Sequence, residues 1–203
     1  MNRIIVFIDG FNLYHALDNN PDYRKYKWLD FSKLARCFVK KSDSIERIIY
    51  FTAFADWSQT KMNRHKVFVR ALRSIGVQVV LGKFRLVTRR CSICGRYYQT
   101  YEEKRTDVNI AVHLLKLAID DEYDTAMIIS GDSDLIPAIQ EVKKRFPQKF
   151  FVNVTPIGRK AEAMQDACDS HMKMKEMHLK SSLFPNTIPL PDGSSITKPV
   201  SWI

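Results

Sequence analysis

The amino-acid sequence predicts an α/β fold built on a parallel sheet. Two observations carry this reading. Five short apolar runs lack the polar alternation of half-exposed strands, as strands covered on both faces do. Between them lie stretches with apolar residues at helical spacing, which places helices on the sheet's faces. A third observation marks the exception: one basic, aromatic stretch breaks the alternation and reads as an inserted β-hairpin. The chain has 203 residues, 45% of them apolar. That suits one large domain or two small ones. With no internal repeat and no linker, one domain is the simpler account.

The elements follow in order along the chain. RIIVFID (3–9) is the first strand, and FNLYHAL opens a helix. DFSKLARCFVK (30–40) puts Phe31, Leu34, Cys37 and Phe38 at helical spacing. IERIIYFTAFA (45–55) is rich in β-branched and aromatic residues and forms the second strand. SQTKMNRHKVFVRALRSIG (58–76) is a helix with Ser58 as cap and Gly76 as stop. VQVVLGKF (77–84) is the third strand. RLVTRRCSICGRYYQTYEEK (85–104) is the hairpin. TDVNIAVHLLKLAID (106–120) is a helix with Val108, Ala111, Val112, Leu115 and Ala118 on its apolar stripe. TAMIISG is the fourth strand. DLIPAIQEVKKRF is a helix with Leu135, Ala138, Ile139 and Val142 facing in. KFFVNVT (149–155) is the fifth strand, and a weaker helix covers about 160–178. The domain thus spans 1–180. Residues 181–203 carry four of the eight prolines and form an extended tail that packs on the domain.

Bulk properties exclude some functions. The chain has 32 basic and 22 acidic residues, a net charge of +10. A surplus that size favours a polyanion, nucleic acid above all; a basic surface without a ligand is the plain alternative. No apolar run approaches the ~20 residues of a spanning helix, so no membrane is expected. The N-terminal apolar run is too short for a signal peptide. Four cysteines without such a signal point to reduced thiols in a cytoplasm.

The acids just beyond strands matter most, because open α/β sheets bind ligands beyond the carboxyl ends of their strands. Asp9 ends the first strand, in FIDGFN. Asp132 and Asp134 end the fourth, in ISGDSD. Asp107 opens the helix leading into that strand. Residues two apart on a helix face different ways. Asp132 and Asp134 can therefore converge only if Asp132 lies in the turn, and Pro137, best placed in a first helical turn, starts the helix near Ser133 or Asp134. Taken singly, Asp134, Ser133, Asp107 or Thr106 could each simply cap a helix. Asp9 is harder to dismiss, since an acid ending an apolar strand caps little; Asn12 could cap the first helix or orient a ligand. Together, clustered carboxylates repel and call for a cation. Hard oxygen ligands without a nearby His select Mg²⁺ or Mn²⁺, ions that serve phosphoryl transfer.

VFIDGFNLYHAL, EEKRTDVNIAVHLL and YDTAMIISGDSDLIPAI together resemble the NYN domain family, in its LabA-like branch of the PIN-like nuclease superfamily. The Cys-containing hairpin and IPLPDGSSITKPVSW resemble parts of that branch as well. The resemblance implies a PIN-like three-layer fold, a five-stranded parallel sheet in order 3-2-1-4-5, a divalent-metal pocket and endonucleolytic hydrolysis of RNA. Asp9, Asp107, Asp132 and Asp134 match the family's acidic positions. Asn12 matches its Asn, and Ser130 and Ser133 its small hydroxyl residues.

Cys91 and Cys94, in CSICG, have the spacing of half a Zn²⁺ site. The other half is missing, because Cys37 and Cys168 fall on helices among apolar neighbours and read as core thiols. Zinc shared across a homodimer, a turn without metal and a redox pair stay open. The hairpin interleaves Arg85, Arg89, Arg90 and Arg96 with Tyr97, Tyr98 and Tyr101, which suits single-stranded nucleic acid; the resemblance implies RNA ahead of DNA. A solvated hairpin with tyrosines packed on the core is the competing account. Glu102 and Glu103 could lend a carboxylate to the pocket, but read more simply as partners of neighbouring cations, and Lys143, Lys144 and Arg145 as a solvated helix face. Two other functions compete with RNA hydrolysis. A haloacid-dehalogenase-type phosphatase wants Asp-x-Asp after the first strand, where this chain has Asp9-Gly-Phe-Asn12. A non-catalytic nucleic-acid-binding or scaffold module would keep the basic face and make the acids structural.

Overall fold

The computed structural model describes residues 2–202. Strand β1 (Arg3–Asp9) leads into helix α1 (Gly10–Asp18), a 3₁₀ turn (Pro21–Tyr26) and α2 (Phe31–Arg36). Next come β2 (Ser44–Thr52), α3 (Gln59–Ser74) and β3 (Gln78–Leu81). The hairpin is β4 (Lys83–Arg90) with β5 (Tyr97–Lys104). After it run α4 (Thr106–Ile119), β6 (Thr125–Ile129), a 3₁₀ turn (Ser133–Leu135), α5 (Ile136–Arg145) and β7 (Phe150–Thr155). Then come α6 (Glu162–Ala167), β8 (Ser170–Lys173), α7 (Glu176–Ser181), β9 (Thr187–Pro189), β10 (Ser195–Thr197) and a 3₁₀ turn (Val200–Trp202).

One six-stranded sheet has the order β3-β2-β1-β6-β7-β8, and its neighbours all pair in parallel. With the hairpin strands set aside, its first five strands keep the expected order 3-2-1-4-5. The sixth strand corrects the reading of 160–178 as one helix. Ser170–Lys173 is short and alternates half-buried with exposed residues, as an edge strand does, so it breaks the helix into α6 and α7. The run 77–84 also divides. At Gly82 the chain leaves the sheet for the hairpin, and a Cβ there would stand 2.8 Å from both Glu103 Oε1 and Thr106 Oγ1.

Alternation along β1 builds two cores. Ile4, Val6 and Ile8 face α1, α2, α3 and the C-terminal segment, where Phe184, Ile188, Ile196 and Trp202 are buried. Ile5 and Phe7 face α4, α5 and α6. The Trp28 indole donates to the Pro185 carbonyl at 2.9 Å, and β9 pairs with β10 as a small hairpin. On α4 the buried apolar stripe is Ile110, Leu114, Leu117 and Ala118; of the expected residues Ala118 is buried, Ala111 and Leu115 are partly buried, and Val108 and Val112 are exposed. The helix is apolar on both faces, and the one bearing the bulkier Ile and Leu side chains buries more surface.

Candidate metal centre and the cavity beside it

Ile8 pairs with Ile129, so Asp9 and Ser130 leave adjacent parallel strands side by side. Strand order reverses between β1 and β6, which opens a crevice at their carboxyl ends. Alternation sends Asp9 to the side of Ile5 and Phe7, the side covered by α4. On α4, Asp107 lies three residues before Ile110 and seven before Leu114. The rotation that buries those two therefore turns Asp107 toward the sheet. Arg105, with φ of 84°, makes the left-handed turn from β5 into α4, a conformation uncommon outside glycine.

Carboxylate oxygens of Asp9, Asp107 and Asp132 lie within 4.8 Å of one another. Asp134 does not join this group. Its side chain is exposed, and its backbone N–H donates to Asp132 Oδ1 at 3.0 Å, which caps the 3₁₀ turn. That turn places the α-helix start at Ile136, slightly later than expected. Of the four predicted acids, three converge.

Their supports run deep. Asp9 does cap a helix, contrary to expectation, by accepting the Asn12 N–H at 3.0 Å. The helix begins one residue after the strand ends, with no loop between. Such a start demands Gly10, where a Cβ would lie 2.5 Å from the Phe51 carbonyl. Asn12 neither caps α1 nor stands free, because its Oδ1 accepts the Gly131 N–H at 3.0 Å and ties α1 to the end of β6. The buried Ser130 hydroxyl donates to Asp9 Oδ2 at 2.8 Å and accepts the Asp132 N–H at 3.0 Å. Behind it, Asn153 donates to the Ser130 carbonyl and accepts from Thr155. Ser133 is exposed in the 3₁₀ turn.

Burial, then the nearby Asp132 charge, raises the Asp9 carboxyl above its ordinary value. Burial raises Asp107 to about 6, and Asp132, Asp9, Glu103 and Asp134 add to the effect. Among the described residues, none of Asp9, Asp107, Asp132 and Asp134 forms an ion pair with Lys or Arg. Three converging oxygen donors without a counter-charge fit a hard divalent cation.

The profile of the NYN domain matches residues 3–175. The chain belongs to the NYN domain family. This NYN protein is similar to 6-hydroxy-3-succinoylpyridine 3-monooxygenase HspA of Pseudomonas putida. The two are 26% identical over 241 residues, which cover 98% of this chain and 75% of the relative. Its fold is similar to the crystal structure of a protein of unknown function from Vibrio parahaemolyticus, with a TM-score of 0.61 and 17% identity. That likeness covers 90% of this chain and 96% of the other.

Around the sheet edge from the carboxylates, the NYN domain holds a cavity of about 420 Å³. Gly10 and Phe11, next after Asp9, line it, as do Tyr50 and Thr52 from the end of β2. Lys61, Arg64, His65 and Phe68 line it from one face of α3. Its outer wall is aromatic. Trp57 stacks on Tyr101 at 4.0 Å and 8°, Phe84 meets Trp57 edge-on at 4.4 Å, and Phe84 meets Phe11 at 5.2 Å. His65 Nε2 lies 3.3 Å from Thr52 Oγ1, and burial lowers its pKa to about 4, so it is neutral at pH 7.

The hairpin divides its predicted roles. Tyr101 packs on Trp57, while Tyr97 and Tyr98 stand exposed. Arg89 pairs with Glu102, which also pairs with Lys104, and Arg90 Nε donates to the Gly95 carbonyl at 3.2 Å. Among the described residues Glu103 pairs with no cation. It caps α4 by accepting the Thr106 N–H at 3.1 Å, and it lines the cavity. Cys91 and Cys94 sit in the hairpin turn, where the Gly95 N–H donates to the Cys91 carbonyl. Among the described residues no third His, Cys, Asp or Glu joins them in a metal-sized group. Hydrogen bonds from the Cys94 and Ile93 backbone lower the Cys91 pKa. Cys168 is buried as expected, but Cys37 is exposed at the end of α2. Lys143 is not merely solvated, since it pairs with Asp169 at 2.6 Å.

Sequence reading missed the Ser130–Asn153–Thr155 chain, although a lone Asn inside the apolar FFVNVT run was its signal. It also missed Arg159, which lies in the loop after β7 with a buried Nε that has no hydrogen-bond partner among the described residues. Gly131 is near the next residues of that loop, 3.4 Å from the Lys160 carbonyl as measured from an ideal Cβ.

Proposed function

We propose that this protein is a divalent-metal-dependent endonuclease that hydrolyses RNA phosphodiester bonds. The observation that carries this reading is the convergence of Asp9, Asp107 and Asp132 without a cationic partner at the crevice of the sheet. The three carboxylates hold Mg²⁺ or Mn²⁺, with Asp134 at the rim. When bound, such an ion polarises a phosphoryl oxygen and makes water more acidic. Ser130 acts here as a positioning residue, holding Asp9 Oδ2 and the Asp132 backbone at once. Asn12 keeps α1 and the Gly131 turn in register, so the carboxylates stay convergent. Arg159 and the hairpin cations, Arg89 and Arg90 among them, supply positive charge for the strand's phosphates. The exposed Tyr97 and Tyr98 offer faces for unpaired bases.

The test is cleavage of labelled single- and double-stranded RNA and DNA with Mn²⁺, by wild type and Asp132→Asn. Wild type cleaves RNA, chelator stops it, and Asp132→Asn loses at least about 100-fold, more than typical loss of a supporting contact. Cleavage that the variant matches, or none of any strand by wild type, overturns the reading.

A second reading comes from the name of the Pseudomonas relative, which describes hydroxylation of a pyridine ring. The aromatic cavity beside the carboxylates is the observation that favours it. A monooxygenase consumes O₂ and a two-electron reductant. O₂ uptake that requires both a hydroxypyridine and reduced nicotinamide would select it over hydrolysis.

A further inference from the structure

The cavity differs from an ordinary gap in the core. Its volume of about 420 Å³ falls within the ~300–1,000 Å³ of ligand pockets. Its outer wall leaves Trp57 36% and Tyr101 40% exposed, although both are aromatic and in contact. Its floor carries the hydroxyls of Tyr50 and Thr52 around the neutral His65. Lys61 and Arg64 stand one turn apart on the α3 face that also bears His65 and Phe68. Among the described residues neither is ion-paired; Arg64 donates to Ser201 Oγ at 3.1 Å. Glu103 lines the cavity and binds Thr106, the residue before Asp107, while Gly10 follows Asp9. The cavity therefore borders two of the three elements that deliver the carboxylates, those of Asp9 and Asp107.

We infer that this cavity seats one nucleotide of the bound strand, its base against the Trp57–Tyr101 wall and its phosphate on Lys61 and Arg64. The ring needs a flat apolar wall with a few polar groups at its edge, and His65, Thr52 and Glu103 provide them. The anion needs cations that no acid already neutralises, and α3 provides two. The acids Asp9 and Asp107 then lie next along the strand. The inference rests on the hydrolase reading for the strand's identity, but it can be tested without catalysis.

Ribonucleoside 5′-monophosphates contain no phosphodiester to cleave. Each of the four is titrated into the full chain in chelator, followed by calorimetry and tryptophan fluorescence. Wild type binds at least one of them. Trp57→Leu weakens that binding roughly 5- to 150-fold, the loss expected of one stacked base. Lys61→Gln, an exposed change that leaves the core intact, weakens it as well, and Lys66→Gln, off the cavity face, does not. Absence of binding, or binding indifferent to Trp57→Leu and Lys61→Gln, overturns the inference. It is also overturned if 6-hydroxynicotinate binds there and no monophosphate does, which assigns the cavity to a free heteroaromatic acid. Failure of the hydrolase reading looks different: monophosphates bind, Trp57→Leu weakens them, and Mn²⁺ supports cleavage of no strand.

Discussion

At the amino edge of the central sheet, Asp121 and Asp124 sit with Arg3 and Lys149. Arg3 reaches Asp124 at 2.7 Å and Asp121 at 3.2 Å, and the buried Lys149 pairs with Asp121 and donates to the Tyr123 carbonyl. At the carboxyl edge of the same strands, Asp9, Asp107 and Asp132 face one another, and among the described residues no Lys or Arg pairs with them. The same side chain responds oppositely at the two ends. Hydrogen bonds from Arg3 hold Asp124 down at about 2, whereas burial and neighbouring acids hold Asp107 up at about 6. The amino edge is a closed set of charges that stabilises the fold. The carboxyl edge is an open one: among the described residues no Lys or Arg pairs with its acids, and a divalent cation fits them.

The largest effect should come from opening the closed edge. Lys149→Met keeps the stem but leaves the Tyr123 carbonyl short of a donor and Asp121 dependent on Arg3. That costs about 1–3 kcal/mol, a melting-point fall of roughly 3–10 °C for a chain this size, and should not alter metal affinity. A loss of metal binding in this variant would break the separation of the two edges. Next, Ser130→Ala removes the hydroxyl shared by Asp9 and the Asp132 backbone. It should weaken Mn²⁺ binding by about 10–100-fold, as loss of a supporting contact does. Affinity equal to wild type would show that the carboxylates need no such holder.

The smallest effect concerns pH in chelator. The folded pKa of Asp107 is raised above its ordinary value, so the folded state binds the extra proton between about pH 4 and 6. Ion-free stability therefore falls as pH rises through that window, by of order 1 kcal/mol once solvent screening is allowed for. Asp124 has the opposite sign: its depressed pKa contributes fully above about pH 4, and that contribution is lost as pH falls toward 2. Asp107→Asn should flatten the decline between pH 4 and 6 and leave the acid limb in place. A decline as steep in the variant would show that Asp107 is not the strained acid.

The sheet was legible because β1, β2, β6 and β7 are apolar runs covered on both faces. β8 was not, because four alternating residues at an edge carry no apolar run. The carboxylates were legible from their places after strands, yet the exclusion of Asp134 was not. It depends on a 3₁₀ turn in which Asp132 accepts the Asp134 N–H, a local choice that Pro137 does not decide. The rotation of α4 was ambiguous because both of its stripes are apolar, and only packing selects Ile110 and Leu114. The cavity was illegible for a different reason. Phe11, Trp57, Arg64 and Tyr101 come from four separate stretches and meet only in the folded chain.

Thermal melts with and without Mn²⁺ decide whether a divalent cation completes the open edge. In chelator, Asp132→Asn should melt at or above wild type, because one of three repelling charges is gone. Mn²⁺ at about 100 times its dissociation constant should then stabilise wild type by about 2.7 kcal/mol and Asp132→Asn far less. Equal stabilisation of the two proteins by Mn²⁺ would contradict the account.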